Sequence, residues 1–121
     1  MPNRVFVNQN QIIEIIVDGD QLVATVRKMG NEALLLAQTL QQNNKPVLLL
    51  DNLLSMGTVP ADARKVVVEL VKSANYDKLA MVGSGGVLKL GANLILRASG
   101  RGSRVKYFDE YELATRWLLG R

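Results

Sequence analysis

The chain has 121 residues, of which 48% are hydrophobic and 21% charged, and this balance predicts one globular domain with a packed core. It contains no cysteine and no histidine, so disulfides and thiolate chemistry are excluded, and the commonest general base and neutral metal ligand are missing. We therefore expect no catalytic residues, no bound metal and no cofactor. The net charge of +4 mildly favours anionic partners, but the few aromatic residues are not interleaved with basic ones. Nucleic acid is therefore not expected as the main ligand.

No apolar run reaches the roughly 18 residues that a membrane-spanning helix needs. The first residues, Met1-Pro2-Asn3-Arg4, lead directly into a strand-like segment without the apolar core of a signal peptide. We therefore expect a cytoplasmic protein with no transmembrane segment.

The first elements are a hairpin and a long helix. The β-branched runs Arg4–Asn8 and Ile12–Val17 predict two antiparallel strands. Apolar residues at spacings of three and four then predict a helix from Gln21 to about Asn43, with Asp20 as its N-cap. Alternatively, Gln21–Val26 forms the second strand of a hairpin.

The middle of the chain contains the most apolar segment. Val47–Leu50 is apolar without alternation and is followed by Asp51, as expected of a central strand buried on both faces. The next residues, Asn52–Val59, are predicted to form an unusually apolar loop. Pro60 is suited to the first turn of a helix, and the predicted helix is Pro60–Asn75.

The last third repeats the alternation of strand and helix. Lys78–Val82 predicts a strand, Val87–Ser99 a helix and Arg104–Phe108 the last strand. Asp109 is predicted to open the final helix, because Glu112 lies three residues later in a spacing like that of a capping box.

The resulting order is β-β-α-β-α-β-α-β-α. It predicts a single α/β domain over residues 1–121, with a mostly parallel sheet of about five strands and helices on both faces. The first strand is expected to be antiparallel.

This pattern resembles the SpoIIAA-like proteins, which are related to STAS domains and are grouped with a lipid-binding fold. The resemblance extends from Val5 to Leu119. The segments that support it are Val47-Leu48-Leu49-Leu50-Asp51, Leu79–Gly83, and Val105-Lys106-Tyr107-Phe108-Asp109 followed by Ala114 and Trp117-Leu118. It implies the fold more than a function, since many members of the group have no assigned activity.

The resemblance also suggests a phosphorylation site. In the anti-sigma-factor antagonists, the loop after the central strand ends in Asp-Ser-Ser/Thr-Gly, and its first serine is phosphorylated at the start of the next helix. The matching positions here are Leu54-Ser55-Met56-Gly57. Ser55 and Gly57 fit this pattern, whereas Leu54 and Met56 replace the acid and the second hydroxyl residue.

The same segment is a candidate partner site. Leu53, Leu54 and Met56 could form an apolar surface for a protein partner or for a second copy of the chain in a homodimer. Alternatively, they pack beneath the edge of the sheet. Asp51 is expected to cap backbone N–H groups of the turn that follows the strand.

The glycine-rich turn is a candidate anion site. It comprises Gly83, Ser84, Gly85 and Gly86, and glycines before a helix can present free N–H groups to an anion. It matches neither the dinucleotide fingerprint nor the P-loop, since Leu88 stands at the last required glycine and Gly91-Ala92-Asn93 closes the P-loop spacing. The turn could equally serve only to pack the helix against the sheet.

Basic residues follow this turn without an intervening acid: Lys89, Arg97, Arg101 and Arg104. They could form a positive face for phosphate, an acidic protein or lipid headgroups, or a solvated face that complements the dipole of the helix C-terminus. Two functions are therefore compatible with the sequence. The preferred one is a non-catalytic regulatory or protein-interaction module, and the alternative is a binder of a small anionic ligand at Gly83–Gly86.

Overall fold

The computed structural model describes residues 3–121, apart from the side chains at positions 87, 88 and 90. The elements in chain order are β1 (Arg4–Val7), β2 (Ile13–Gly19), α1 (Val23–Gln42), β3 (Leu48–Met56), α2 (Ala61–Ser73), β4 (Lys78–Val82), α3 (Gly86–Ser99), β5 (Val105–Phe108) and α4 (Tyr111–Leu118). This order confirms the predicted α/β fold class.

The strands form one sheet in the order β1-β2-β3-β4-β5. As predicted, β1 is antiparallel to β2, and the other neighbours are parallel. Successive right-handed crossovers between adjacent strands place their helices on the same face. Thus α1, α2 and α3 cover one face, called here the three-helix face, and α4 lies on the other, the α4 face.

The central strand β3 is buried on both faces, as its uniform apolarity predicts. Leu49 joins the core beneath the three helices, whereas Leu48 and Leu50 pack under α4. Gly30 of α1 lies against α2, where an added Cβ would come within 2.9 Å of a Leu70 methyl carbon. This close approach keeps α1 and α2 tight over the sheet.

The α4 face is only partly covered. Ala114 and Leu118 of α4 pack on β3 and β4, and Trp117 contacts the ring of Phe108 on β5 at 5.7 Å between centroids. The helix reaches β2 through the side chain of Tyr111. The strands β1 and β2 therefore form the open half of this face.

The segment predicted as an apolar loop after residue 51 is largely strand. Asn52 pairs with Val82, the last residue of β4, but β3 continues to Met56. The prediction was wrong because β2 also continues, after an irregularity in its register, and pairs Asp18 with Ser55.

The start of α1 also differs from the prediction. Its N-cap is Leu22, not Asp20, and the Thr25 hydroxyl accepts a hydrogen bond from the Leu22 N–H at 2.9 Å. Asp20 instead accepts the Thr58 N–H at 2.8 Å, a contact distant in sequence. Because α1 begins at Val23, the alternative of a strand over residues 21–26 is wrong.

The final helix begins at Tyr111, after the N-cap Glu110. The capping-box arrangement predicted for Asp109 and Glu112 is not formed, since the cap position is one residue later and has no side-chain cap. Similarly, Pro60 is the N-cap of α2 and not a residue of its first turn.

Candidate functional site

The carboxyl ends of the parallel strands bring two predicted sites to the same edge of the sheet. The residues from Leu53 onward extend β3, and the glycine-rich turn follows β4. Since β3 and β4 are neighbours in the sheet, both candidate sites lie on adjacent strands. The protruding residues Leu53–Met56 are called the β3 tip below.

The three apolar residues of the β3 tip are expected from the sequence either to form an exposed surface or to pack beneath the edge of the sheet. Leu53 and Met56 are partly buried and pack on the core cluster that contains Val17 and Ala63. Leu54 is 49% exposed. Among the three, Leu54 therefore offers the most apolar surface to a partner.

Gly57 holds the chain after the β3 tip in a tight contact. Its N–H donates to the Gly19 carbonyl at 2.8 Å, and a Cβ at this position would collide with the Asp20 carboxylate. The hydrogen bond from Thr58 lowers the pKa of Asp20. The contact requires glycine, so Gly57 has a structural role.

Ser55 is exposed but lies inside β3, and α2 begins only at Ala61. The resemblance requires the modified serine at the start of a helix, so the geometry differs from that pattern. Ser55 pairs with Asp18 across the sheet. A phosphate here would face a carboxylate and would be repelled.

Asp51 lies within β3 and does not cap the following turn, so that expectation was wrong. Asn52 accepts the Leu54 N–H instead, at 3.2 Å. Asp51 is flanked in the sheet by Ile15 and Met81, and no described residue donates a hydrogen bond to its carboxylate. Burial raises the pKa of Asp51 to about 7.

A second polar group lies on the same row of the sheet. Tyr107 is the partner of Met81 on β5, so Met81 separates Tyr107 from Asp51. The Tyr107 hydroxyl is buried and has no hydrogen-bond partner among the described residues. Among the described residues, the carboxylate of Asp51 and the hydroxyl of Tyr107 are thus two polar groups of the three-helix face for which no hydrogen bond is found.

The glycine-rich turn divides into a structural and an exposed part. Gly83 is buried, and its N–H donates to the Phe108 carbonyl at 3.1 Å. Ser84, Gly85 and Gly86 are exposed. Gly85 has a φ of +92° and is the N-cap of α3, with no side-chain cap, so only these three residues could bind an anion.

The predicted basic face is smaller than the sequence suggests. Lys89, Arg97 and Arg104 are exposed. Arg101, however, donates from Nη1 to the Ala74 carbonyl at 2.6 Å, and its guanidinium lies 5.1 Å from the centroid of the Tyr76 ring. Arg101 therefore anchors the C-terminus of α2 and is not part of a free basic face.

Sequence reasoning missed a polar cluster on the α4 face, centred on Glu14 of β2. Glu14 is only 5% exposed. Its Oε1 accepts the Tyr111 hydroxyl at 2.5 Å and the Asn8 amide at 3.2 Å, and its Oε2 accepts the Asn52 amide at 3.4 Å. Burial, then the hydrogen bond to Glu14, raises the pKa of Tyr111 to about 12. The available signal was a single acid within a β-branched run.

The part of the chain that the structure describes offers neither a three-residue metal-ligand group nor a membrane-spanning helix. No three acidic, cysteine or histidine residues among those described are grouped to hold a metal ion. No helix there is long and apolar enough to cross a bilayer.

A crystal structure from Shewanella loihica PV-4 is similar to this chain. It is an uncharacterised protein from the DUF3478 family with a SpoIIAA-like fold, and it matches with a TM-score of 0.66 and 15% sequence identity. The match covers 96% of this chain and 91% of that one. The predicted resemblance is therefore confirmed at the level of the fold. No protein-family model and no curated protein matches this chain.

Proposed function

We propose that this protein is a non-catalytic regulatory or protein-interaction module of the SpoIIAA/STAS-like type, and that it binds a partner chain at the β3 tip. The observation that supports this proposal is the extension of β3 beyond its neighbour. β4 ends at Val82, opposite Asn52, and β3 continues to Met56 with Leu54 half exposed.

The β3 tip combines two features that favour association with another chain. Beyond Asn52, no strand of the described residues lies on its β4 side, and the edge of a strand can pair with another backbone. Leu54 adds an apolar side chain to this edge. A second exposed leucine lies nearby. The N–H of Gln21 donates to the carbonyl of Thr58, just after the β3 tip, and the next residue, Leu22, is 63% exposed. A partner could therefore bury apolar side chains while it pairs with the strand.

The first experiment measures self-association over a range of protein concentrations by sedimentation equilibrium, with partner capture by cross-linking alongside. Leu54→Asp should abolish the association, because it places a charge in the buried contact. The matched control is Leu94→Asp, which changes an exposed leucine on α3 and should have no effect. A monomer at every concentration that also captures no partner would contradict the proposal.

The second candidate function is the binding of a small anionic ligand, such as a nucleotide, phosphometabolite or lipid headgroup, at Ser84, Gly85 and Gly86. It is supported by the uncapped, exposed start of α3, with exposed Lys89 one turn later. The first N–H groups of a helix attract anions, and a nearby cation adds to this attraction.

This candidate predicts that a phosphate-bearing ligand raises the melting temperature through linkage. Gly86→Asp should remove the rise by placing a negative charge at the site. Gly86 is preferable to Gly85, whose positive φ would strain any side chain. Ser103→Asp, at an exposed position after α3, is the matched control. A panel of phosphate compounds that produces no shift would rule the function out.

A further inference from the structure

A surface groove lies between the β1–β2 turn and α4, on the open half of the α4 face. It is called here the Glu14 groove, and the residues that line it include Phe6, Asn8, Asn10, Glu14 and Tyr111. It shares no residue with the β3 tip or the glycine-rich turn. Binding at this groove can therefore be tested separately from both proposed functions.

The floor of the groove contains a buried carboxylate, Glu14, that has no cationic partner among the described residues. The hydrogen-bond donors to Glu14 are the Tyr111 hydroxyl and the amides of Asn8 and Asn52, all of which are neutral. No lysine or arginine among the described residues forms an ion pair with it. Buried charges in proteins are normally paired with an opposite charge, so a cation is the missing component.

The carboxylate also has room for further hydrogen bonds. A carboxylate can accept about four hydrogen bonds. Among the described donors, two bond to Oε1 of Glu14 and Asn52 alone bonds to Oε2, at the longer distance of 3.4 Å. The Oε2 atom therefore has the larger remaining capacity to accept hydrogen bonds.

The sides of the groove favour a flat cation. Phe6 and Tyr111 contribute aromatic rings, and cations are attracted to the faces of such rings. The Arg4 guanidinium already lies 4.8 Å from the centroid of the Phe6 ring. Phe6 pairs with Glu14 across the sheet, whereas Arg4 pairs with Ile16. The protein's own cation therefore lies over the Phe6 ring, and among the described residues it forms no ion pair with Glu14.

We propose that the Glu14 groove binds a guanidinium or ammonium group, either free or carried by a basic side chain of an extended peptide. The cation would bond to Glu14 Oε2 and lie between the rings of Phe6 and Tyr111. Arg4 would compete with it for the Phe6 ring.

The experiment is an NMR titration with N-acetyl-arginine amide, compared with N-acetyl-citrulline amide, which has the same shape but no charge. The arginine compound should shift the side-chain amide signals of Asn8 and Asn52 and should bind at least about tenfold more tightly. A second titration uses a blocked Val-Arg-Val peptide and compares its affinity with that of N-acetyl-arginine amide. Tighter binding of the peptide would identify a partner's side chain as the source, and equal binding a free cation.

Three substitutions test whether the arginine compound binds at the Glu14 groove. Glu14→Gln should remove the preference for arginine over citrulline, since it keeps a hydrogen-bond acceptor but loses the charge. Glu112→Gln, which changes an exposed carboxylate of the adjoining surface, should leave that preference unchanged. Arg4→Ala should strengthen binding by removing the competitor.

Equal binding of the arginine and citrulline compounds, or no binding of either, would overturn the proposal, as would a preference that persists in Glu14→Gln. If Glu14→Gln does not fold, the comparison of the two ligands on the unmodified protein still decides. Failure here would leave the association test at Leu54 unaffected, because the two tests use different residues and different readouts.

Discussion

Each face of the sheet contains a carboxylate, and the two carboxylates differ in the number of hydrogen bonds that they accept. Glu14 lies on the α4 face and accepts three hydrogen bonds from side chains on β3, α4 and the turn after β1. Asp51 lies on the three-helix face, between Ile15 and Met81, and no described residue donates to it. Both acids lie on interior strands of the sheet, so their position in the sheet does not distinguish them. They differ in the hydrogen-bond donors that surround them.

Burial and hydrogen bonding have opposite effects on the pKa of a carboxyl group. Burial alone disfavours the charged form of a carboxyl group, whereas donors favour it. Asp51 has only the first effect, and its pKa rises to about 7. At Glu14 the donors are present, and Tyr111 keeps its proton to a pKa of about 12 while it donates to the carboxylate. The hydrogen-bond donors around Glu14 thus have no counterpart at Asp51 among the described residues.

The largest expected effect is the pH dependence contributed by Asp51. Because its pKa is about 7 in the folded state and near 3.8 in the unfolded state, folding is most favoured when the group is protonated. The free energy of unfolding should fall as pH rises from about 4 to about 7, by up to about 4 kcal/mol. Denaturant unfolding at pH 5 and pH 8 measures the larger part of this loss, about 3 kcal/mol.

Asp51→Asn should remove most of that loss and should be the more stable protein at pH 8. Asp109→Asn, which changes an exposed carboxyl group, is the control and should unfold as the unmodified protein does at both pH values. If Asp51→Asn and the unmodified protein lose the same stability between pH 5 and pH 8, the carboxylate is not desolvated and the contrast with Glu14 disappears.

The second effect compares two tyrosines, one on each face. Tyr111→Phe removes the hydroxyl that donates to Glu14, and a hydrogen bond to a charged group contributes about 1.5–3 kcal/mol. Tyr107→Phe removes a buried hydroxyl that has no partner among the described residues, so stability should stay the same or rise, because an unsatisfied buried hydroxyl itself costs free energy. Chemical denaturation of both variants measures the difference, and equal losses would contradict the assignment of donors.

Much of the fold was predictable because it depends on local patterns. The uniform apolar run Val47–Leu50 predicts a doubly buried strand, and alternating strands and helices predict the parallel sheet. The ends of elements were less predictable, because they depend on neighbours. β3 continues to Met56 only because β2 runs beside it, and Asp20 leaves the cap of α1 because it binds Thr58.

The candidate sites were less predictable still, because side chains meet across long stretches of sequence. Arg101 has the helical spacing of a basic face, yet it bonds to Ala74 on another helix. Glu14 and Tyr111 are 97 residues apart. Local spacing contains no information on either contact, and a single acid in a strand does not indicate its donors.

A smaller loss of stability is expected when the contacts of Arg101 with the end of α2 are removed. Arg101→Met should lose the hydrogen bond to the Ala74 carbonyl and the contact with the Tyr76 ring, at a cost of about 1–2 kcal/mol. Arg97→Met changes an exposed arginine on α3 and should cost less than about 0.5 kcal/mol. Thermal unfolding of the pair measures the difference. Similar losses would indicate that Arg101 belongs to the solvated basic face after all.

The smallest expected effect comes from Asp20, an exposed carboxylate with a donor. The hydrogen bond from the Thr58 N–H lowers its pKa below 3.8, so its contribution to stability is complete above about pH 4 and is lost as the pH falls further. The sign is opposite to that of Asp51. Melting temperatures at pH 3 and pH 6 should therefore differ slightly less in Asp20→Asn than in the unmodified protein, with Asp109→Asn as control. A larger difference in Asp20→Asn would mean that the hydrogen bond from Thr58 does not stabilise the charged form of Asp20.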